Sequence, residues 1–237
     1  MCGRYANARS RTQLAADFAI PVEQVEVKHE DYNVTPQKMA PIVLTAPAGE
    51  GEDPVRQIQL ALWGLRPRWL KEDARGFANA RAETLAEKRS FSKPFARGRI
   101  LVPMDGFYEW FVETPEGGGK AVKQPYYFTP KDGAVLAMAG LVQYAKDPRN
   151  PDREIATYTI ITTTATDDVG LVHDRMPMII RPENWAEWLN PAMTDLDTAQ
   201  ALMAPPGAGL LDIFKVSTEV NKSSNNGPQL IVPLGDG

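Results

Sequence analysis

Cysteine is almost missing from this chain. Of 237 residues only Cys2 is a cysteine, and only His29 and His173 are histidines. A single thiol excludes an intrachain disulfide, so nothing points to an oxidising compartment. With no CxxC and no HExxH, a metal centre has no support and none is expected. There is no P-loop and no GxGxxG following a strand, so no nucleotide cofactor is expected either. Long apolar runs are also lacking. Nothing approaches the ~20 apolar residues of a membrane span, and the first residues lack the apolar core of a signal peptide. A cytoplasmic protein without membrane contact is the expectation.

What is present is ordinary globular composition, 43% hydrophobic and 24% charged, enough for one substantial core. No repeat, heptad pattern or compositional break divides it, so residues 1–237 read as a single domain. The net charge of −4 argues against indiscriminate nucleic-acid binding, but it is unevenly spread. Residues 63–100 carry ten Lys/Arg against four acids, a local +6, which leaves −10 for the remainder. Such a basic island suggests a localised anion surface, against the alternative of a solvated helix face.

Ser10-x-x-Gln13 fits a capping box, with Leu14, Ala15 and Phe18 on one helical face. Strands are expected at 41–45, 57–63, 99–103, 107–111, 125–129, 134–143, 157–164, 177–180 and 211–217. An Asp105-Gly106 turn joins two of them, and 46–54 and 114–120 read as loops. Residues 82–89 are good helix formers; further helices are expected after Pro182 and over 196–203. The expected fold is α+β: a mainly antiparallel, barrel-like sheet core with several peripheral helices.

Four residues invite a chemical reading. Once Met1 is removed, Cys2 carries an α-amine and a thiol two carbons apart, a 1,2-aminothiol that condenses with aldehydes to a thiazolidine. Both nucleophiles sit on one residue, so ring closure is intramolecular, and the amine's reference pKa is only about 7.7–8.0. The alternative is a disordered tail position that happens to be cysteine. His173, in a loop between two strands, is suited to moving protons, or is simply a hydrogen-bonded loop histidine. His29, among acids, reads as a surface residue. Glu109, in the run Gly106-Phe107-Tyr108-Glu109-Trp110, either faces an apolar interior with a raised pKa or points outward. Asn79 either caps a helix or orients a substrate group. Trp63-Gly64-Leu65-Arg66-Pro67-Arg68-Trp69 interleaves indoles with guanidinium groups, the equipment of single-strand binding, although Trp63 could equally be core.

Taken in order, these segments resemble the SOS-response-associated peptidase (SRAP) family, which shields abasic sites in DNA. The resemblance rests on Met1-Cys2-Gly3-Arg4-Tyr5, Tyr32-Asn33-Val34-Thr35-Pro36, Trp63-Gly64-Leu65 with Trp69, and Asn79-Ala80-Arg81-Ala82-Glu83-Thr84. It continues through Val102-Pro103 with Gly106–Trp110, His173-Asp174-Arg175-Met176-Pro177 and Val220-Asn221. It implies that Cys2 attacks the ring-opened aldehyde of an abasic site in single-stranded DNA, giving a covalent thiazolidine crosslink. Asn79 then orients the Cys2 amine or the sugar, Glu109 relays protons, and His173 assists ring opening and reversal. Arg4, Arg81, Trp69 and Arg89 are implied to hold DNA phosphates or bases, with Asn33 and Pro36 lining the approach to Cys2. A monomer in the bacterial cytoplasm, near DNA, is expected.

The chain departs from the family pattern in places. Arg66 replaces an expected apolar residue and so adds charge on the implied DNA path. Ile100 stands where relatives are expected to carry a second cysteine, and Ser223-Ser224-Asn225 where more charge is expected. Two competing readings remain: a cysteine peptidase acting on Met1, and a non-catalytic DNA-binding module in which Cys2 is dispensable.

Overall fold

The computed structural model describes residues 2–27, 29–46, 54–71, 73–114, 121–204 and 207–235. The first half of the chain forms strand β1 (Tyr5–Asn7), helix α1 (Arg11–Asp17), β2 (Asp31–Val34), β3 (Met39–Ala46), β4 (Val55–Trp63), β5 (Asn79–Arg81), α2 (Ser92–Arg97) and β6 (Arg99–Met104). The second half forms β7 (Gly106–Glu113), β8 (Val122–Pro130), β9 (Leu136–Asp147), β10 (Asn150–Thr164), α3 (Asp167–Gly170), β11 (Arg175–Pro177), α4 (Trp185–Trp188), α5 (Leu196–Ala201) and β12 (Leu211–Lys215).

Two sheets result. One runs β12-β8-β7-β1-β2 with every neighbour antiparallel. The other runs β11-β10-β4-β3-β6-β9, and β9 also pairs with β10, closing β10, β4, β3, β6 and β9 into a ring. Its pairings are antiparallel except those of β10 with β4 and β5. This is the expected α+β architecture with a barrel-like core. Side-chain alternation decides what each face meets. Ile42, Val102, Met138 and Tyr158 share a cluster with Cys2, Tyr5 and Phe107. On the other face Val43, Leu101, Ala139 and Ile161 pack with Leu14, Phe95 and Trp188 of α1, α2 and α4. The capping box at the start of α1 forms as read: Gln13 N donates to Ser10 Oγ, and Ser10 N to Gln13 Oε1.

The structure corrects several expectations. Residues 82–89 form only a 3-10 turn over Ala82–Thr84. Beyond Leu85 no large apolar side chain occurs before Phe91, so a helix there would have no face to bury. The Asp105-Gly106 step is not a hairpin: it passes the chain from β6 in one sheet to β7 in the other. Asp105 anchors that switch by accepting from the Ala8 amide at 2.6 Å and pairing with Arg9 at 2.9 Å. Gly106 is required by a close approach, since a Cβ there would stand 2.3 Å from the Phe128 carbonyl. Of the expected 177–180 strand, β11 takes only Pro177, and the next residues wedge between β9 and β10. Met178 N donates to Ile161 O at 2.9 Å, and Ala139 N to Met178 O at 2.7 Å. Strands β1, β2 and β5 are additional to the expected set. The 46–54 and 114–120 loops fall largely outside the described residues. Among the described residues, no helix is long and apolar enough to cross a membrane.

Two members of the basic island turn inward. The buried Arg99 guanidinium donates to the carbonyls of Phe95, Ala96, Trp188, Asn190 and Met193 and lies 5.8 Å from the Trp188 ring. It ties the end of α2 to the turn after α4. Arg99→Ala strands those carbonyls, and is expected to cost about 3 kcal/mol, roughly 6–12 °C in melting temperature for a chain of this size. Thermal unfolding checks it, with exposed Lys88→Ala as the control that stays near wild type.

Candidate active site

The site is assembled around the start of the chain. β1 is not an edge: Tyr5 pairs with Phe107 of β7 on one side and with Val34 of β2 on the other. That pairing carries Cys2 into the apolar cluster, where it is 0% exposed. Its carbonyl accepts a hydrogen bond from Asn79 Nδ2 at 2.8 Å. Asn79 therefore does not cap a helix. It opens the short strand β5, parallel to β10 with Asn79 opposite Ile160. Among the described residues its Oδ1 is buried without a hydrogen-bond partner, leaving an acceptor beside the chain start.

Glu109 takes the inward alternative. Next to Tyr108 in β7, it is only 3% exposed. Burial pushes its carboxyl above the usual carboxylate range, and the charge of His173 opposes that rise. Burial, and then the charge of Glu109, drives the Cys2 thiol strongly toward its protonated form, opposed by the Arg4 amide hydrogen bond. His173 lies in the turn before β11, with Nδ1 3.0 Å from the Arg175 amide and 2.9 Å from the Asp174 carboxylate. The amide donates to an unprotonated Nδ1, whereas a protonated Nδ1 donates to Asp174, so the ring has a partner in either charge state. Cys2, Asn79, Glu109 and His173 thus meet from four separate segments. They comprise a thiol, an amide, a buried carboxyl and an imidazole.

The residues implied to meet DNA fall into two groups. Arg4 lies 5.5 Å from the Trp110 ring and donates to Asn33 Oδ1 at 2.7 Å and to Val220 O. With Trp110, Lys123 and Asn221 it lines an open cleft of about 430 Å³. Asn33 itself is fully buried, its amide donating to the carbonyls of Val220, Lys222 and Asn225, so it braces Arg4 instead of lining an approach. Pro36 sits in the turn after β2, two residues past the partner of Tyr5 and on the side toward Cys2.

Trp69 (51% exposed), Arg81 and Arg89 form the second, solvent-facing group. Trp69 is presented by the 64–77 loop, closed by a Leu65–Phe77 bridge, and leans on Phe77 at 6.2 Å. Arg66 lies inside this loop, 5% exposed, donating to the carbonyls of Lys71 and Ala74. It shapes the loop that presents Trp69 and adds no charge to the surface, contrary to expectation. Trp63 is core, its Nε1 held by Ala78 O at 2.8 Å. Ile100 is buried core, and His29 is exposed as expected.

Sequence reading passed over Lys123 and the Arg4–Trp110 contact, because residues distant in sequence meet there. It also passed over Arg175, whose guanidinium forks onto Glu83 at 2.7 and 3.0 Å. Among the described residues, no group of three or more His, Cys, Asp or Glu could hold a metal ion.

The family model for SOS response associated peptidase (SRAP) matches residues 1–223. The chain belongs to the SRAP family. It is 36% identical to the abasic site processing protein YoqW of Bacillus subtilis, over 98% of this chain and 99% of that one. It is 32% identical to the abasic site processing protein HMCES of Gallus gallus, over 86% of this chain and 66% of that one. Its fold is similar to a crystal structure of a Bacteroides thetaiotaomicron protein, with a TM-score of 0.80 and 28% identity over 98% of this chain and 100% of that one. The motifs behind the resemblance thus belong to a shared fold and are not chance matches.

Because the Glu109 carboxyl is raised by burial, its protonated form favours the folded state. That contribution is full below the unfolded carboxyl value, about 4.3, and is lost as pH rises through the higher folded value. Glu109→Gln is expected to remove this pH dependence and melt at or above the wild-type temperature at neutral pH. Thermal unfolding across pH measures both.

Proposed function

We propose that this SRAP chain captures abasic sites in single-stranded DNA by a covalent thiazolidine bond through Cys2, after loss of Met1. The observation that carries the reading is the Asn79 amide holding the Cys2 carbonyl at 2.8 Å, with a buried carboxyl of raised pKa in the same site. The Cys2 α-amine adds to the sugar aldehyde, and the carbinolamine takes a proton from Glu109 and expels water to leave an iminium. The Glu109 carboxylate then takes the thiol proton. Sulfur bonds the iminium carbon, and the C=N electron pair returns to nitrogen. Glu109 ends as it began, and the net loss is one water. Asn79 Oδ1 accepts from the amine or a sugar hydroxyl, and His173 serves opening of the sugar ring and the reverse reaction.

Arg4 with Trp110, and Arg81, Arg89 and Trp69 on the exposed side, are assigned to phosphates and bases, with Asn33 as the brace of Arg4. Pro36 borders the approach to Cys2. A monomeric protein acting near DNA in the bacterial cytoplasm completes the proposal.

Intact mass after incubation with single-stranded DNA carrying one abasic site tests it. Protein lacking Met1 is expected to gain the DNA mass less one water. Cys2→Ala abolishes that adduct and keeps non-covalent binding. An absent adduct on Met1-free protein favours a non-catalytic DNA-binding module instead. The family description as a peptidase supports a second reading, removal of Met1 by the chain itself, which predicts that Cys2→Ala protein made without aminopeptidase keeps Met1 while the Cys2 protein loses it.

Asn79→Ala, Glu109→Ala and His173→Ala are each expected to slow crosslinking at least about a hundredfold; wild-type rates in all three would sink the assigned roles. Arg81→Ala should weaken non-covalent binding across sequences and reduce the salt slope by about 1.

A further inference from the structure

Glu109 is not the last side chain on its face of β7. The β1–β7 pairing runs on past Tyr5, with Tyr108 N donating to Arg4 O at 3.0 Å, so Glu109 stands level with Gly3, next to Cys2. On its other side Glu109 is opposite Tyr126 of β8, and Tyr126 is opposite Lys215 of β12. The chain start, Glu109, Tyr126 and Lys215 therefore form one row across the sheet, each strand about 4.8 Å from the next. Side chains alternate along β7, so Phe107, Glu109 and Phe111 share this face, while Trp110 and the Arg4 cleft lie on the other.

The cover over this face stops between Glu109 and Phe111. Phe107 and Glu109 are buried, whereas Phe111, about 7 Å further along the strand, is 44% exposed. Gln124, directly opposite Phe111, commits its amide to the carbonyls of Pro125 and Val216, both at 2.9 Å. The Tyr126 hydroxyl donates to Glu113 at 2.9 Å. Lys215 pairs with the same carboxylate at 2.9 Å, its ammonium 5.9 Å from the centre of the Tyr126 ring. The tyrosine is thus fixed in place and the charge of Glu113 is neutralised. An isolated exposed phenylalanine needs no explanation. This one is set apart by its place: diagonal to a fixed tyrosine, and one alternation beyond the buried carboxyl of the site.

We propose that Phe111, backed by Tyr126, is a stacking platform for the base that flanks the abasic sugar on one side. This rests on the single-stranded DNA reading above and deepens it. An abasic nucleotide has no base, so each neighbouring base has lost one stacking partner, and a ring beside the site takes that partner's place. Every base has a π face, so the platform accepts any neighbour. With Glu113 paired to Lys215, the patch does not repel the phosphates that accompany the base. The platform is separate from the Arg4–Trp110 cleft, which opens on the other face of β7.

The test uses single-stranded DNA carrying a tetrahydrofuran abasic analogue, which has no aldehyde, with 2-aminopurine as the base on one side of it or on the other. The fluorescence of 2-aminopurine falls when it stacks on a ring. Quenching at one of the two positions is expected to depend on Phe111. Phe111→Ala loses that quench and binds roughly five- to a hundredfold more weakly. Phe111→Trp keeps both, whereas Phe111→Leu, with apolar bulk but no ring, does not. Exposed Val112→Ala, on the opposite face, should bind and quench as wild type, and the melting temperature should hold in all four variants. Unchanged quenching and affinity in Phe111→Ala overturn the platform and leave the DNA reading standing. A purely structural role would let Phe111→Leu bind like wild type, and that outcome overturns the platform too. The analogue cannot crosslink, so a wild-type protein with the Phe111-dependent quench but no adduct at a true abasic site defeats the aldehyde reading and upholds the platform. A wild-type protein that binds no single strand overturns both.

Discussion

A residue next to the start of a chain ordinarily has little to hold it, because terminal segments fray. In this protein the difficulty is met by placing β1 inside a sheet, between β7 and β2, so that both edges of a three-residue strand are paired. Everything at the site depends on that insertion. Pairing with β7 brings Glu109 along the neighbouring strand. Pairing with β2 brings Asn33, which in turn braces Arg4. The Asn79 amide, arriving from β5, then closes over the Cys2 carbonyl. Without the insertion the same residues would be a loose tail facing a barrel.

Burial supplies the electrostatic half of the arrangement. An exposed carboxylate is ionised near neutrality and makes a poor acid, whereas a buried one keeps its proton long enough to give it away. The same burial disfavours the thiolate. The site therefore combines a carboxyl raised above its ordinary range with a thiol held toward its protonated form. The surface around it is divided in kind. Inside the basic island, Arg66 and Arg99 are consumed by backbone carbonyls and serve the fold, while Arg81 and Arg89 remain in solvent. A charge count along the chain cannot separate these uses, because it contains no information about depth.

That limit also describes what could be read in advance. The long strands were legible, since β3, β4, β6, β9 and β10 carry enough alternating or continuous apolar residues to fix their period. The strands β1, β2 and β5, three or four residues each, hold no period at all, and they are the ones that position the site. Asn79 looked like a helix cap because helix formers follow it; the strand won because β10 offered a backbone partner and residues 86–90 offered no large apolar face. Glu109 could be read either way until the β7–β1 pairing was known. The residues of the centre were named from ordered motifs, but their meeting depends on contacts between segments up to a hundred residues and more apart. The arginine–tryptophan cleft at Arg4 was invisible for the same reason.

One of these long-range contacts carries a consequence in time. Arg4 and Asn33 both bind Val220 O, and Asn33 also grips Lys222 and Asn225, so the chain start is locked by residues made long after it. At ribosomal speed the gap between synthesis of Cys2 and of Val220 is roughly 10–40 s. Through that interval the nascent start is without its clamp. The arrival of Val220, Lys222 and Asn225 supplies it. The fold thus acts as a clock: the start of the chain waits for a segment some two hundred residues downstream before its anchors are complete.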